Sequence, residues 1–161
     1  MMTASNDASP QSRLTALGLT LPETTAPIAN YTPFSRTGNL IFISGQLPIS
    51  ATGLDEKFKG KAGRNISLET AQAAARQAAL NILAHANSAA GDLSKLRAIR
   101  IGGYVNAMPD FNAVPQVING ASDFLVEILG EKGRHARFAV GVAQLPLDAV
   151  VEIEGIFEMT S

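Results

Sequence analysis

Residues 135–159 read HARFAVGVAQLPLDAVVEIEGIFEM. Ala149 to Met159 alternates cleanly. Val151, Ile153, Phe157 and Met159 fall on one side, and Glu152, Glu154 and Glu158 on the other. That is the period of a strand with one dry and one wet face. His135 to Val142 is apolar around a single arginine, Arg137, and predicts a second strand. Upstream, Leu96 to Ala107 sets Ile99, Ile101, Gly103 and Val105 against Arg100, Gly102, Tyr104 and Asn106. A third strand is expected there. Tyr31–Ser35 and Leu40–Ser44, joined across Thr37-Gly38-Asn39, predict a hairpin. A further turn is expected at Ala51-Thr52-Gly53, and a short polar strand over 57–62.

Two helices fall between these strands. One starts after Ser67, a good N-cap, with Glu69 in the first turn where the helix dipole favours an anion. Ala71, Ala75, Ala78, Ala79, Ile82, Leu83 and Ala86 then follow helical spacing until Gly91. A stripe so rich in alanine lets the helix lie close to whatever it covers. The other helix is expected to be capped by Asp110 or Asn112. It carries Val117, Ile118, Ala121, Phe124, Leu125, Ile128 and Leu129 as one stripe and stops at Gly130. The order predicts an α/β (α+β) single domain, a mixed β-sheet with two helices packed on one face. The uncovered face would carry Ile43 or Phe42, Tyr104, Phe138 or Arg137, and Ile156 among charges. A half-apolar face is rarely left to water, so homo-oligomerisation through it is expected, with sites at subunit boundaries.

The 161 residues fit one domain. Residues 1–27 read as an N-terminal extension, frayed at first, with a possible short helix over Ser12 to Leu19 and a proline-broken connector over 20–30. Residues 28–161 read as the folded domain. There is no cysteine, so disulfides, a thiolate nucleophile and Cys-based metal sites are excluded. A net charge of -1 supplies no field for nucleic acid or an anionic membrane. With 6% aromatics and no Trp, an extensive base-stacking platform is not expected. The polar start lacks the apolar core of a signal peptide, and no apolar run reaches the roughly 18 residues of a membrane span. The cytosol is the expected location.

Few residues carry chemistry. No G-x-S-x-G elbow is present. His85 and His135 lack metal-ligand spacing, so no metal is expected. His85 reads as a helix residue, and His135 either as structural or as lining a site. Gly102-Gly103 lies inside a strand and fits neither glycine fingerprint for phosphate. Arg137 stands out because it interrupts an apolar strand, and arginine is seldom buried unpaired. Two readings stay open: a structural pair with a Glu of the neighbouring strand, or an anchor whose planar fork takes a ligand carboxylate bidentately. Glu152 is either part of a solvated face or, in a partly dry interface, a group that orients or activates water. Ser44-Gly45-Gln46 is either a turn after a strand or a place of close approach. Tyr31 and Asn119 give no signal by themselves.

Taken together, three stretches resemble the reactive intermediate deaminase family, also called the YjgF or L-PSP endoribonuclease-like family. The first runs from Asn30-Tyr31-Thr32-Pro33 through Gly38–Ile43 to Ser44-Gly45-Gln46-Leu47-Pro48. The second is Asn119. The third is Ala136-Arg137 through Val142-Ala143-Gln144-Leu145-Pro146, followed by Val151-Glu152-Ile153-Glu154. The resemblance covers roughly 28–159. It implies a chorismate-mutase-like fold, a homotrimer with clefts between subunits, and no cofactor. It also implies hydrolysis of enamines and imines such as 2-aminoacrylate to a 2-keto acid and ammonia. Arg137 falls on the carboxylate-binding position and Glu152 on the acidic position that places the attacking water. Tyr31, Ser44, Gly45, Asn119, Ala139 and His135 fall on or beside positions lining the cleft. Two departures mark a divergent subgroup: Ala139 stands where the family often has Cys, and His135 where it commonly has Pro. The alternatives are an endoribonuclease, which the composition supports poorly, and a non-catalytic binding protein or sensor for a small carboxylate such as a 2-keto acid.

Overall fold

The computed structural model describes residues 8–24 and 29–161. In chain order its elements are α1 (Pro10–Ala16), β1 (Phe34–Thr37), β2 (Leu40–Gln46), β3 (Ile49–Ser50), β4 (Gly53–Leu54), α2 (Leu68–Ala90), β5 (Leu96–Asn106), α3 (Val114–Leu129), β6 (Ala136–Val142) and β7 (Val151–Met159). Five strands form one sheet in the order β1-β2-β7-β5-β6, and β3 and β4 form a small separate hairpin. The pairs β1–β2, β2–β7 and β5–β7 are antiparallel, while β5 and β6 run parallel. The parallel pair needs a crossover, and α3 supplies it. The sheet is therefore mixed, as the sequence predicts. Part of the expected connector, residues 25–28, lies outside the described residues, as do residues 1–7.

The helix termini show how local chemistry sets the boundaries. Ser67 caps α2, its hydroxyl accepting from the Thr70 N–H at 3.2 Å. Gly91 ends the helix in the left-handed conformation, φ 82°, where a side chain would be strained. At α3 neither Asp110 nor Asn112 serves as the cap. The N-cap position falls on Ala113, with no side-chain hydrogen bond. Pro115 in the first turn has no N–H, so one of the donors a cap would satisfy is missing from the start. Residues 57–62 are not a strand. Glu56–Phe58 form a 3-10 turn capped by Asp55, and Lys59 and Ala62 make only isolated bridges. Phe58 turns into the core, and the surrounding backbone bonds outward, Gly60 N–H to Asp148 O and Ala62 N–H to Asn106 O. Those crossing bonds take the groups a ladder would use.

The core lies between the sheet and two helices. Ile41, Ile43, Ile101, Val105, Val151, Ile153 and Phe157 project from the sheet, and all are buried. The alanine stripe of α2 and the Val117, Ile118, Ala121, Phe124, Leu125 and Ile128 stripe of α3 close over them. Each large side chain so buried contributes about 1.5–3 kcal/mol. The short α1 joins the same core through Leu14, which is fully buried, and Arg13 donates to the Ile128 carbonyl at 3.0 Å. The sheet's other face carries no helix. There Phe42 and Phe138 point outward with Tyr104 and Ile156, while Ile43 faces the helices. Among the described residues no helix is long and apolar enough to cross a membrane.

Two glycines set how closely α3 can settle. A methyl group at Gly120 would lie 2.2 Å from the Gln72 carbonyl oxygen of α2, and one at Gly103 would lie 2.5 Å from Ile118 Cδ1. The obstruction at Gly120 is backbone, which cannot rotate away. Gly120→Ala is therefore expected to push α2 and α3 apart and to lower stability by about 1–3 kcal/mol. The check is the midpoint of urea unfolding.

Candidate functional site

Arg137 is positioned by the register of the parallel pair. Ile101 stands beside Arg137 and Gly103 beside Ala139. Ile101 faces the helices, so Arg137 and Ala139 do as well. The exposed guanidinium lies against α3: Nη1 donates to Ser122 Oγ at 3.1 Å and Nη2 to the Pro115 carbonyl at 3.4 Å. Among the described residues it has no carboxylate partner. The structural pair with a neighbouring-strand Glu, one of the two readings of the sequence, does not form. Asn119 lies on α3 between Pro115 and Ser122, one turn from each, and so shares their side of the helix. His135 completes the group. Its Nε2 is 2.9 Å from Ser122 Oγ and its Nδ1 2.6 Å from the Gly133 carbonyl. Burial pulls its pKa below the usual imidazole range; the Gly133 carbonyl opposes this, and the Arg137 charge adds to it. The fold thus gathers Arg137, Asn119, His135 and Ala139 at one rim, where α3 meets β6. Ser122 belongs to the same rim and was not singled out in the sequence. The only trace is its spacing, three residues after Asn119.

Glu152 lies elsewhere. It stands on β7 among buried Val151 and Ile153, and so points to the helix-free face. The β2–β7 register slips between Ile43 and Gln46, leaving Ser44-Gly45 as a bulge. A methyl group at Gly45 would lie 2.3 Å from Glu152 Oε1. Glycine is what lets the carboxylate rest there. Burial raises the Glu152 pKa, and the Glu154 charge raises it further. Tyr104 donates to Glu154 Oε1 at 3.1 Å and meets Phe138 edge-on, ring centres 5.4 Å apart. The Arg100 guanidinium lies 5.1 Å from the centre of the Phe138 ring. A hollow of about 120 Å³ opens between Phe42, Arg100, Gly102, Glu154 and Ile156. Ser44 uses its hydroxyl to hold the preceding segment, donating to the Thr32 carbonyl at 2.6 Å. That segment carries Tyr31, which is exposed beside β1 at the far edge of the sheet from β6.

The expected residues therefore form two groups. Arg137, Ala139, Asn119 and His135 lie on the helix side of edge strand β6. Glu152, Gly45 and Ser44 lie at the sheet's centre on the opposite face. One chain does not bring Arg137 and Glu152 together. Among the described residues no group of three or more His, Asp or Glu is placed to hold a metal ion.

A family model described as "YjgF/chorismate mutase-like, putative endoribonuclease" matches residues 11–158. This chain belongs to the YjgF/chorismate-mutase-like family. Protein TCP17 of Trypanosoma cruzi is 39% identical over 150 residues, 92% of each chain. A crystal structure of a protein of unknown function from Agrobacterium tumefaciens is 46% identical with a TM-score of 0.85, covering 93% of both chains. RidA from an Antarctic Psychrobacter is 30% identical with a TM-score of 0.59, covering 87% of this chain and 99% of that one. The YjgF match begins inside α1, which agrees with Leu14 being part of the core.

The raised Glu152 pKa has a sign that can be checked. The folded protein holds this proton to a higher pH than the unfolded chain, so its contribution is complete below the ordinary carboxylate value of 4.5 and is lost as pH climbs through the folded value. Glu152→Gln removes that loss. The variant is expected to melt above the wild type at about pH 7, with the gap closing towards about pH 4. Thermal unfolding across that range reads it.

Proposed function

We propose that this protein hydrolyses reactive 2-imino and enamine acids of the 2-aminoacrylate class to 2-keto acids and ammonia, as a homotrimer with clefts between subunits. The observation that carries the reading is Arg137: an exposed guanidinium, fixed to α3 through two donors, with three N–H donors left over and no carboxylate beside it among the described residues. Such a group is prepared for a carboxylate supplied from outside. The resemblance of the motifs around it to the deaminase family, and the likeness to a protein named RidA, support the same substrate class.

The chemistry needs little more. With its carboxylate held at Arg137, an imine presents C2 to a water molecule. Glu152 of a neighbouring copy, in its carboxylate form, accepts a proton as that water adds. Glu152 passes that proton to the nitrogen, and the tetrahedral adduct then gives up its hydroxyl proton by the same route as ammonia leaves, so imine and water balance keto acid and ammonia. Positioning and a partly dry cleft supply much of the acceleration. The raised pKa of Glu152 makes its carboxylate a stronger base than an ordinary one. Because Arg137 and Glu152 lie on opposite faces of one sheet, a site using both requires two copies. The uncovered face with Phe42, Tyr104, Phe138 and Ile156 offers the surface for their association.

The test couples a dehydratase acting on serine or threonine to keto-acid release. Wild-type protein is expected to accelerate release, Arg137→Ala to return it to the uncatalysed rate, and Glu152→Gln to lose about 10²-fold. Light scattering is expected to read a trimer, and Ile156→Glu to give inactive monomer. An active monomer would overturn the shared cleft. Binding of 2-ketobutyrate at Arg137 without turnover of any imine would make the protein a carboxylate sensor instead.

A further inference from the structure

The rim around Arg137 holds a chain of hydrogen bonds that runs in a single direction when the His135 ring is neutral. A carbonyl oxygen only accepts, so the Gly133 carbonyl, 2.6 Å from His135 Nδ1, requires the ring proton on Nδ1. Burial disfavours the charged ring, and in the neutral imidazole Nε2 then bears a lone pair. Ser122 Oγ, 2.9 Å away, must then give its one hydrogen to Nε2. That leaves the serine oxygen's lone pairs for Arg137 Nη1, which can only donate, at 3.1 Å. The order is Arg137 to Ser122 to His135 to Gly133. The far end is firm: Gly133 is buried, and a methyl group there would lie 2.3 Å from the Leu125 carbonyl oxygen.

We infer that Ser122 and His135 are positioning residues that aim Arg137 at its ligand, a directed relay from a buried carbonyl to the carboxylate anchor. This rests on the reading of Arg137 as that anchor and extends it to two residues that need not touch substrate. An arginine side chain at an edge strand has several rotamers of similar energy. Ser122 Oγ holds one Nη and the Pro115 carbonyl the other, which fixes the plane of the guanidinium and leaves Nε–H and one hydrogen on each Nη for the ligand. A serine bonded to a neutral imidazole is a better-oriented acceptor than one free to rotate. Removing either residue leaves the charge and loses the aim.

The experiment titrates 2-ketobutyrate into wild type, Ser122→Ala, His135→Phe, the double variant, Ser122→Thr and Arg137→Ala, and follows imine hydrolysis in parallel. Melting temperatures identify any variant that fails to fold, for which Ser122→Thr is the alternative reading of the same position. Phe at 135 keeps the ring's bulk and offers neither an acceptor to the Ser122 hydroxyl nor a donor to the Gly133 carbonyl, so it breaks the relay. Ser122→Ala and His135→Phe are each expected to weaken binding and raise KM about 5–20-fold, with kcat within about threefold, because the chemistry at C2 is untouched. The double variant is expected to be no worse than either single one, since both break one chain. Ser122→Thr keeps the hydroxyl and is expected to bind like the wild type. Single variants that bind as the wild type does, while Arg137→Ala does not bind, would overturn the relay. If Arg137→Ala binds like the wild type, or neither binds, the anchor reading itself fails, a different result.

Discussion

The arrangement depends on how near α3 lies to its neighbours. At Gly120 it meets the backbone of α2, and at Gly103 the sheet comes up against Ile118, in both places without room for one more methyl group. This closeness does more than fill a core. The same helix supplies the Pro115 carbonyl, Asn119 and Ser122, so its height above the sheet sets where the Arg137 guanidinium can reach. Packing density inside the domain and geometry at its rim are therefore one quantity. Small residues on the buried side, alanines along α2 and glycines facing α3, are what hold the polar ones in register on the outside.

Much of this architecture is written in short-range pattern. The alternation in 149–159 and 96–107 and the stripe of 117–129 name the strands, the crossover helix and the dry side of each. Parity within a strand says which residues share a side, and it says nothing of which side that is. Whether Arg137 or Phe138 faces the helices stayed open for this reason. It is settled only by Arg137 standing beside Ile101, a partner 36 positions earlier in the chain. The missed start of α3 and the absent strand over 57–62 differ in origin. Over 57–62 distant groups decide, through backbone crossings to Asn106, Asp148 and Val150, whereas at α3 a proline without a donor sits in the first turn itself. Ser122 was illegible because its meaning comes from a strand that lies beyond the end of its own helix.

The helix-free face shows the cost of keeping reactive groups at hand. Glu152 and Glu154 are two residues apart on one side of β7, and the Glu154 charge adds to burial in raising the Glu152 pKa. Tyr104 relieves Glu154 by donating to it, and Glu152 is left with Gly45 against its carboxylate. A fold selected for stability alone would place a neutral side chain there. Two carboxylates set side by side and partly out of water cost stability that a neutral side chain would not.

The strand order has a kinetic side. β7, latest of the strands in sequence, occupies the middle of the sheet between β2 and β5. While the ribosome is still making 151–159, the β1–β2 hairpin and the β5–α3–β6 unit have no ladder joining them, and each exposes an unpaired edge. The sheet cannot form progressively from one end; it closes when the last strand slots in. Contacts of such long sequence separation slow folding, and they tie closure of the sheet to synthesis of β7. A nascent chain stalled short of β7 would hold two half-sheets with sticky margins, the kind of species that chaperones exist to shield.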